Sequence, residues 1–395
     1  MQRTKKKISG LQLGLARMNE TQWFLRAIAE RFLPLNGGRM TSRERVRRAI
    51  EFAHPDRIPH RYYDIIIIIN TTPKNWQPPD GFYPYVQPHD VHFGGWRWKK
   101  RKDSRWLRED RTAIDEFGVV WRANATASMG EPIEGPLSGG WHLLKDYRLP
   151  DMRDEDRLRA FKRLLRLVNP DRYILGCDNT GLGPWELFRH LRGFENAMID
   201  LIECPEEVHR LLSMITDMFL GSLEAFAEAG ADGYYFLDDW GTQLNSFISP
   251  RHFSEYFMPC YRKITGRCHD LGMHCGIHSC GNIRPLVPLL IEAGFDFLQL
   301  DSPDLCGIDW LSENAAGRIC LFCSEDIQNV YVTNDHVKIE EYVKTMIRRL
   351  SSEKGGLVLW PYSQPYDIGV GASTIRAEQR IYKKYRNLRK LFKAT

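Results

Sequence analysis

The sequence predicts an α/β protein in which residues 40–395 fold as a single (β/α)8 barrel, also called a TIM barrel. From about residue 172, short apolar segments alternate with longer helical ones, a pattern typical of a parallel sheet. The predicted strands are Tyr173–Cys177, Tyr234–Leu237, Met273–His278, Phe297–Leu300, Ile319–Cys323 and Leu357–Trp360. Ile58–Ile69 and one strand of the preceding irregular region complete the eight of a barrel. An open doubly wound sheet is the alternative, although no Gly-x-Gly-x-x-Gly follows the first strand.

Two segments depart from this alternation. Residues 1–39 are predicted to be a helical extension, with an amphipathic helix over Thr21 to Phe32 that Pro34 to Gly38 ends. A new helix then begins with Thr41 or Ser42 as its cap. Residues 71–150 are rich in aromatic residues and lack periodicity, so we expect loops and hairpins that cover one end of the scaffold.

Composition excludes several classes of function. A net charge of +5 on 395 residues is too small to indicate nucleic-acid binding. The longest aliphatic run, Ile65 to Ile69, is far shorter than the roughly 20 residues of a membrane span. The chain has 9 cysteines, and their odd number favours a reducing cytoplasm over a disulfide framework. We therefore expect a cytoplasmic enzyme with a small-molecule substrate, and a homodimer is compatible with an exposed barrel face.

Polar side chains follow the predicted strands, where the loops of a barrel carry its chemistry. His278 and Cys280 form the sharpest pair, because they lie two positions apart and share one face of an extended segment. An imidazole and a thiolate together suit zinc, which in a catalytic site takes three protein ligands and keeps one position open. The alternative is a buried cysteine and a hydrogen-bonded histidine without metal, since no third ligand is obvious.

Two further pairs carry candidate chemistry. Asp238 and Asp239 directly follow a strand, and two adjacent carboxylates can supply a general acid beside a base. Alternatively, one of them caps the next segment, and we expect a single functional aspartate. Cys320 and Cys323 face opposite sides of a strand, so we favour core positions for both, with Cys323 the one that would point into the barrel.

Three segments resemble the uroporphyrinogen-decarboxylase superfamily, and especially its methyltransferase-like branch, which includes cobalamin- and coenzyme-M-linked enzymes. They are Thr41 to Pro59, Asp115 to Trp121, and His278 to Pro285, of which the last is the most specific. The resemblance implies that His278 and Cys280 bind zinc, and that a corrinoid carried by a separate protein takes part in methyl transfer. The family's third ligand, a cysteine near the last strand, has no counterpart within Gly355 to Gln364. Its replacement would be Asp239, Cys323 or Glu325.

The decarboxylase branch matches less well. No Gln-Ala-Gly-Arg-Tyr segment is present. Similarity of Gly183 to His190 with the family's Gly-Pro-Phe-Thr-Leu-x-x-Tyr segment puts His190 at the position of the catalytic tyrosine. The Phe-Asp-Ser-Trp segment likewise puts Asp239 at the position of the serine.

The sequence and the resemblance together predict a zinc-dependent methyltransferase that acts between a small methylated compound or thiol and a protein-bound corrinoid. The predicted catalytic residues are Asp239, His190 and Asp238, and the predicted substrate contacts are Asn179, Trp185, Arg189, Gln299 and Tyr362. The predicted metal ligands are His278 and Cys280, with Cys323 and Glu325 as further candidates. The alternatives are a uroporphyrinogen decarboxylase without metal and a barrel that binds its ligand without turnover.

Overall fold

A computed structural model describes residues 40–73, 76–77, 111–123, 130–165, 171–178 and 181–388. The predicted extension over residues 1–39, with its expected helix, lies outside the described residues, as does Asn179. No helix in the described ranges combines the length and the apolar character that crossing a membrane requires.

The strands form two separate sheets. In chain order they are β1 (Ile65–Ile69), β2 (Thr112–Ile114), β3 (Val120–Arg122), β4 (Glu131–Glu134), β5 (Tyr173–Cys177), β6 (Gly233–Leu237), β7 (His274–His278), β8 (Phe297–Leu300), β9 (Cys320–Cys323) and β10 (Leu357–Leu359). Seven of them make a parallel sheet in the order β1-β5-β6-β7-β8-β9-β10. The other three, β2 to β4, make a small antiparallel sheet.

The parallel sheet has the strand order of a barrel. A parallel bridge between His60 and Leu359 joins its last strand to the segment just before its first, and the Leu359 amide donates to the Pro59 carbonyl at 2.9 Å. The predicted barrel and its six regular strands are confirmed, each strand end within one residue. The described part of the irregular region adds no strand to this sheet, because its three strands pair with one another instead.

Helices surround the parallel sheet. They are α1 (Ser42–Ile50), α2 (Arg61–Asp64), α3 (Asp156–Leu165), α4 (Pro184–Arg192), α5 (Phe194–Glu203), α6 (Pro205–Glu228), α7 (Pro250–His252), α8 (Met258–Asp270), α9 (Val287–Glu292), α10 (Ile308–Asn314), α11 (His336–Leu350) and α12 (Ala372–Tyr385). A π-helical turn, Phe253–Phe257, connects α7 to α8. Thr41 caps α1 by accepting the Glu44 amide at 3.1 Å, which decides between the two predicted caps.

Among the described residues, the barrel interior is fully packed at one end and less completely filled at the other. Alternate strand residues such as Tyr173, Phe297 and Cys320 form an inner cluster with Val46 and Ala49 of α1, which closes the amino-terminal end of the barrel. At the carboxyl-terminal end, the inward-facing side chains of Ile67, Ile69 and Leu237 are only partly buried. We call this incompletely filled end of the barrel the cup. It is the end at which the loops after the strands meet.

The small antiparallel sheet is anchored by a buried aspartate. Asp115 accepts the backbone amides of Phe117 at 2.9 Å and Val119 at 3.0 Å, and the Trp121 indole N–H at 2.8 Å. Burial outweighs these bonds and raises the pKa of Asp115 to about 7. The Trp121 ring then meets His190 of α4 edge-on, at 5.2 Å between centroids. The Asp115 to Trp121 motif therefore holds a turn and packs the small sheet against the barrel.

Candidate metal centre

Two glycines place the end of β7 at the cup. A side chain on Gly276 would overlap the Phe297 ring, so this inward position of the strand must stay small. Gly281 has φ +84°, and a Cβ there would lie 2.2 Å from the Gly241 carbonyl carbon. The loops after β6 and β7 thus contact each other through their backbones, and the Gly241 amide donates to the Cys280 carbonyl at 3.1 Å. This contact brings Asp239 next to the residues that follow β7.

Asp239, His278 and Cys280 converge at this edge of the cup. Their nearest nitrogen, sulfur and oxygen atoms all lie within 4.8 Å of one another. His278 Nε2 is 3.2 Å from Cys280 Sγ and 3.3 Å from Asp239 Oδ1, which also accepts the Cys280 amide at 2.9 Å. Tetrahedral zinc ligands with bonds of about 2.0–2.3 Å stand roughly 3.3–3.8 Å apart. The spacing and the chemistry of these three groups therefore fit a zinc ion.

The charges of the triad favour a cation between its members. Desolvation of the Cys280 thiol by the surrounding protein, followed by the negative charge of Asp239, raises the pKa of this thiol to about 12. Other parts of the residue are exposed to solvent. Burial works against a charged imidazole, but Cys280, Tyr235 and Asp239 outweigh it and raise the pKa of His278 well above its usual value. A metal cation would replace the protons that these groups now share, since only the thiolate and the neutral imidazole coordinate.

Gln299 orients the histidine of the triad. Its side-chain carbonyl oxygen is hydrogen-bonded to His278 Nδ1 and accepts the Tyr235 hydroxyl at 3.2 Å. Its amide donates to Asp301 at 2.8 Å. The bond at Nδ1 leaves Nε2 facing Asp239 and Cys280, as an outer-shell partner of a metal-bound histidine does. The substrate contact predicted for Gln299 stays a prediction. Tyr235 is not among the residues that the sequence singles out, although the alternation along β6 places it inside the barrel.

Asp238 points away from the triad, into the helix layer. It is fully buried, and it accepts the Glu186 amide at 2.8 Å and the Trp185 amide at 3.3 Å at the start of α4. The Tyr261 hydroxyl donates to the same carboxylate at 2.5 Å. Burial raises the pKa of Asp238 well above its usual value. A side chain bonded in this way caps a helix, the alternative considered for one aspartate of the pair.

Glu186, which is not among the predicted site residues, lies behind Asp239. Its carboxylate forms two bonds with Arg189, at 2.8 and 2.6 Å, and is 3.6 Å from His190 Nε2. Burial raises the pKa of Glu186 to about 7 despite the opposing charge of Arg189. The Trp185 indole donates to the Asp239 carbonyl at 3.1 Å. These α4 residues support the Asp239 loop from outside the barrel, and the buried His190 lies among them rather than at the triad.

Cys323 and Glu325 are not brought to the triad. Cys323 is fully buried in the outer core, whereas Cys320 belongs to the inner cluster, so the two face opposite sides as predicted. The expectation that Cys323 is the inward one is wrong, because the first residue of β9, not its last, points inside. Glu325 is buried, and its carboxylate accepts the Tyr382 hydroxyl of α12. Neither residue stands near enough to complete the metal centre.

Tyr362 lies beside the triad. Burial, followed by the charges of Asp301 and Cys280, raises the pKa of the Tyr362 phenol to about 12, while His278 lowers it. The side chain is partly buried. Tyr362 thus lies next to the groups that would hold a metal, and its contact with substrate stays a prediction.

The chain belongs to the uroporphyrinogen decarboxylase (URO-D) family. The family model matches residues 146–359, which is more than half of the chain. This span begins before β5 and includes β5 to β10, and with them Asp239, His278 and Cys280. The resemblance expected from the sequence is therefore confirmed. The family includes both decarboxylases and methyltransferases among the relatives of this chain.

Individual relatives are distant. The chain is 25% identical to the uroporphyrinogen decarboxylase of Syntrophotalea carbinolica, over 42% of its own length and 44% of that protein. It is 26% identical to the methylcobamide:CoM methyltransferase MtbA of Methanosarcina acetivorans, over 40% and 45%. The chain spans just under half the length of these two relatives. A solved methyltransferase from Methanosarcina mazei has the same fold, with a TM-score of 0.55 and 17% identity over 87% of this chain and 100% of that one.

Proposed function

We propose that the protein is a zinc-dependent methyltransferase that moves a methyl group between a small methylated compound or thiol and a corrinoid. The observation that supports this most directly is the convergence of Asp239, His278 and Cys280 beyond the carboxyl ends of β6 and β7. Three ligands of mixed nitrogen, sulfur and oxygen type leave one position of a tetrahedral ion open for substrate, as catalytic zinc requires. The fold and the methylcobamide:CoM methyltransferase relatives are consistent with this activity.

The residues of the chain would hold the ion and orient the substrate. His278, Cys280 and Asp239 would be the ligands, Gln299 would fix the imidazole, and Tyr362 would contact the substrate. When bound, zinc supplies a Lewis acid that lowers the pKa of a thiol or polarises a leaving group. In the thiol direction, the S–H bond breaks and its proton leaves to solvent. The sulfur then bonds to the methyl carbon, and the electron pair of the cobalt–carbon bond stays on cobalt.

We further propose that the corrinoid is carried by a separate protein that docks over the cup. The MtbA relatives are named for a methylcobamide substrate, and Asp239 and Cys280 lie in the loops after β6 and β7, where a docked partner would meet them. Because Ile67, Ile69 and Leu237 are incompletely buried, the cup has room for a small substrate beneath an incoming methyl donor.

Zinc content and methyl transfer test the proposal together. The purified protein should hold one zinc per chain by elemental analysis, and should convert free methylcobalamin and a small thiol to the thioether. A His278→Ala, Cys280→Ala double variant should lose both properties. A matched His269→Ala, Cys204→Ala variant, altered outside the cup, should keep both. Methyl transfer that persists in the first double variant would contradict the proposal.

The main alternative, decarboxylation without metal, is tested on the same preparations. Several relatives of this chain are uroporphyrinogen decarboxylases. Protein stripped of metal that releases carbon dioxide from uroporphyrinogen, and that methylates no thiol when zinc is restored, would reverse our ranking of the two activities.

A further inference from the structure

The short helix α5 exposes apolar side chains to solvent. Of the eight large hydrophobic residues that are exposed in the described part of the chain, three lie on this ten-residue helix. They are Phe194, Ile199 and Ile202, and the two isoleucines are 50% and 73% exposed. A surface helix normally turns its polar side to solvent. A group of exposed apolar side chains instead indicates a place where another segment or another molecule binds.

Glutamates surround the isoleucines of α5. Glu195 lies one helical turn before Ile199, and Glu203 lies one turn after it. Glu206 follows in the first turn of α6. All three glutamates are exposed, and no basic residue within the described ranges forms an ion pair with them. We call Glu195, Ile199, Ile202, Glu203 and Glu206 the α5 face, which has an apolar centre and three negative charges around it.

The charges of the α5 face select the kind of occupant. A second copy of the chain that bound through the same face would bring glutamates against glutamates, and like charges across an interface oppose binding. The complementary occupant therefore carries aromatic or aliphatic groups together with several positive charges.

The chain itself contains a segment of this composition. Trp96 to Lys102 reads Trp-Arg-Trp-Lys-Lys-Arg-Lys, so seven consecutive residues carry two indoles and five positive charges without a carboxylate. They belong to residues 78–110, which lie outside the described residues. Tryptophan brings a large apolar area, and the arginines and lysines bring the charges that match the glutamates.

The connection to the described chain is long enough for this segment to reach α5. The described chain resumes at Arg111, whose carbonyl accepts the Ala123 amide at 3.0 Å beside the small antiparallel sheet. The outer strands of a three-stranded sheet stand about 10 Å apart. Just beyond β4, the Leu137 amide donates to the Leu191 carbonyl of α4 at 3.0 Å, and α5 follows α4 directly. Eight residues lie between Lys102 and Arg111, and they span up to about 30 Å when extended.

We propose that residues 96–102 bind the α5 face of the same chain. Trp96 and Trp98 cover Ile199 and Ile202, and the basic side chains lie beside the glutamates. Burial of apolar area supplies most of the binding, because exposed ion pairs contribute little individually. The charges decide which segment binds. This inference does not depend on the proposed methyl transfer, since none of these residues belongs to the metal centre.

Photo-crosslinking in the full chain tests the contact. Benzoylphenylalanine is placed at Ile202, and at Val337 of α11 as the matched control, because both side chains are 73% exposed. After irradiation and proteolysis, mass spectrometry should identify links from position 202 to residues 96–102 within a single chain, and no link from position 337 to that range. Links from position 202 to a second copy, links only to other parts of the chain, or no links would each overturn the inference.

Binding of a synthetic peptide tests the charge complementarity. The labelled peptide comprises residues 93–106, and the protein is a Trp96→Ser, Trp98→Ser variant, whose own segment competes less. Fluorescence anisotropy should show binding that weakens as salt is added, and wild-type protein should bind the peptide more weakly than this variant does. Adding Glu203→Lys and Glu206→Lys to the variant should reduce its affinity at least about tenfold, because attraction becomes repulsion.

The control for this charge reversal is Glu341→Lys with Glu353→Lys, which makes the same change of charge at two exposed positions outside the α5 face. It should leave the affinity for the peptide within about twofold of the parent variant, since charges that lie beyond the screening length of about 8 Å contribute little. Equal affinity of the two charge-reversed proteins, equal affinity of wild type and parent variant, or no binding of the peptide would each contradict the proposed contact.

Discussion

Two carboxylates occupy similar places in the barrel and have opposite surroundings. Asp239 follows β6 and Glu325 follows β9, each at the second residue beyond its strand. The Asp239 side chain is 32% exposed and lies beside an imidazole and a thiol. Glu325 is fully buried. Proximity to the carboxyl end of a barrel strand thus does not by itself make a group available to a ligand. The elements that pack over the strand end decide this.

The element that covers Glu325 is α12. Its Tyr382 hydroxyl donates to Glu325, and its Glu378 accepts the Tyr331 hydroxyl at 2.9 Å. Burial raises the pKa of Glu325, while burial and the charge of Glu325 together raise the pKa of Glu378 well above its usual value. Two buried carboxyl groups in contact share a proton, because both cannot be ionised. We call Glu325, Glu378, Tyr331 and Tyr382 the acid pair cluster. It joins the last helix to the barrel.

The largest expected difference in zinc affinity is between a cysteine variant at the triad and one beside Glu325. Cys280→Ala should weaken zinc binding by more than the roughly 100-fold that losing an outer-shell partner can cost, because a direct ligand is removed. Cys323→Ala should leave zinc affinity unchanged and should lower the free energy of unfolding by about 1–2 kcal/mol, through lost packing in the outer core. Competition with a chromophoric chelator and urea unfolding measure the two effects. Loss of zinc in the Cys323 variant would mean that we have chosen the wrong sulfur.

The acid pair cluster should respond to pH in a direction that its pKa values define. The raised pKa means that Glu378 stays protonated in the folded protein at pH values where the unfolded chain has lost this proton. The ordinary pKa of glutamate is about 4.3. Its contribution to stability is complete below that pH and falls as the pH rises toward the folded pKa, by up to about 1.4 kcal/mol per unit. Glu378→Gln, a permanent mimic of the protonated acid, should lack this loss.

Urea unfolding of wild type and Glu378→Gln at pH 5, 6 and 7 measures the difference, with each pH chosen above the roughly 4.3 of free glutamate. The stability of the wild type relative to the variant should decrease at each step. Glu340→Gln is the control, because Glu340 is paired with Lys384, which lowers the pKa of Glu340. A wild-type advantage that grows with pH would show that the pair is held as two carboxylates.

The outer shell of the metal centre is expected to have an intermediate effect. Gln299→Leu removes the bond that orients His278 and should reduce zinc affinity about 10- to 100-fold without abolishing it. Chelator competition measures this loss. Tyr362→Phe is the control, because Tyr362 lies beside the triad and no described hydrogen bond joins it to His278, Cys280 or Asp239. If Gln299 instead contacts substrate, as the sequence suggested, zinc affinity should stay constant and KM should rise.

The fold was predictable because the signals that set it are local. The apolar runs of β5 to β10 are short and flanked by glycine or polar residues, so each strand end could be placed within one residue. Barrel closure could be only partly predicted. It depends on the contact of His60 with Leu359, residues almost 300 positions apart, and no local pattern encodes such a pairing.

The candidate site was likewise predictable where its signals are local and unpredictable where they depend on contacts distant in sequence. His278 and Cys280 are two positions apart on one strand, so period-two alternation predicted that they point together. Asp239 was one of three candidates, and only the backbone contact of Gly241 with Gly281 selects it. Glu186 could not be found by spacing, because its role arises from a helix that packs behind another loop.

The smallest expected effect is on the free energy of unfolding and concerns a single hydroxyl of α12. It tests whether the acid pair cluster is independent of the metal centre. Tyr382→Phe removes the donor to Glu325 and should lower the free energy of unfolding by about 1 kcal/mol, since a buried acceptor loses one of its bonds. Tyr385→Phe, on the same helix, removes the more exposed bond to Glu340 and should cost less. Zinc affinity should be unchanged in both. If Tyr382→Phe weakened zinc binding, the acid pair cluster and the metal centre would be one coupled site, because no described contact otherwise links α12 to the triad.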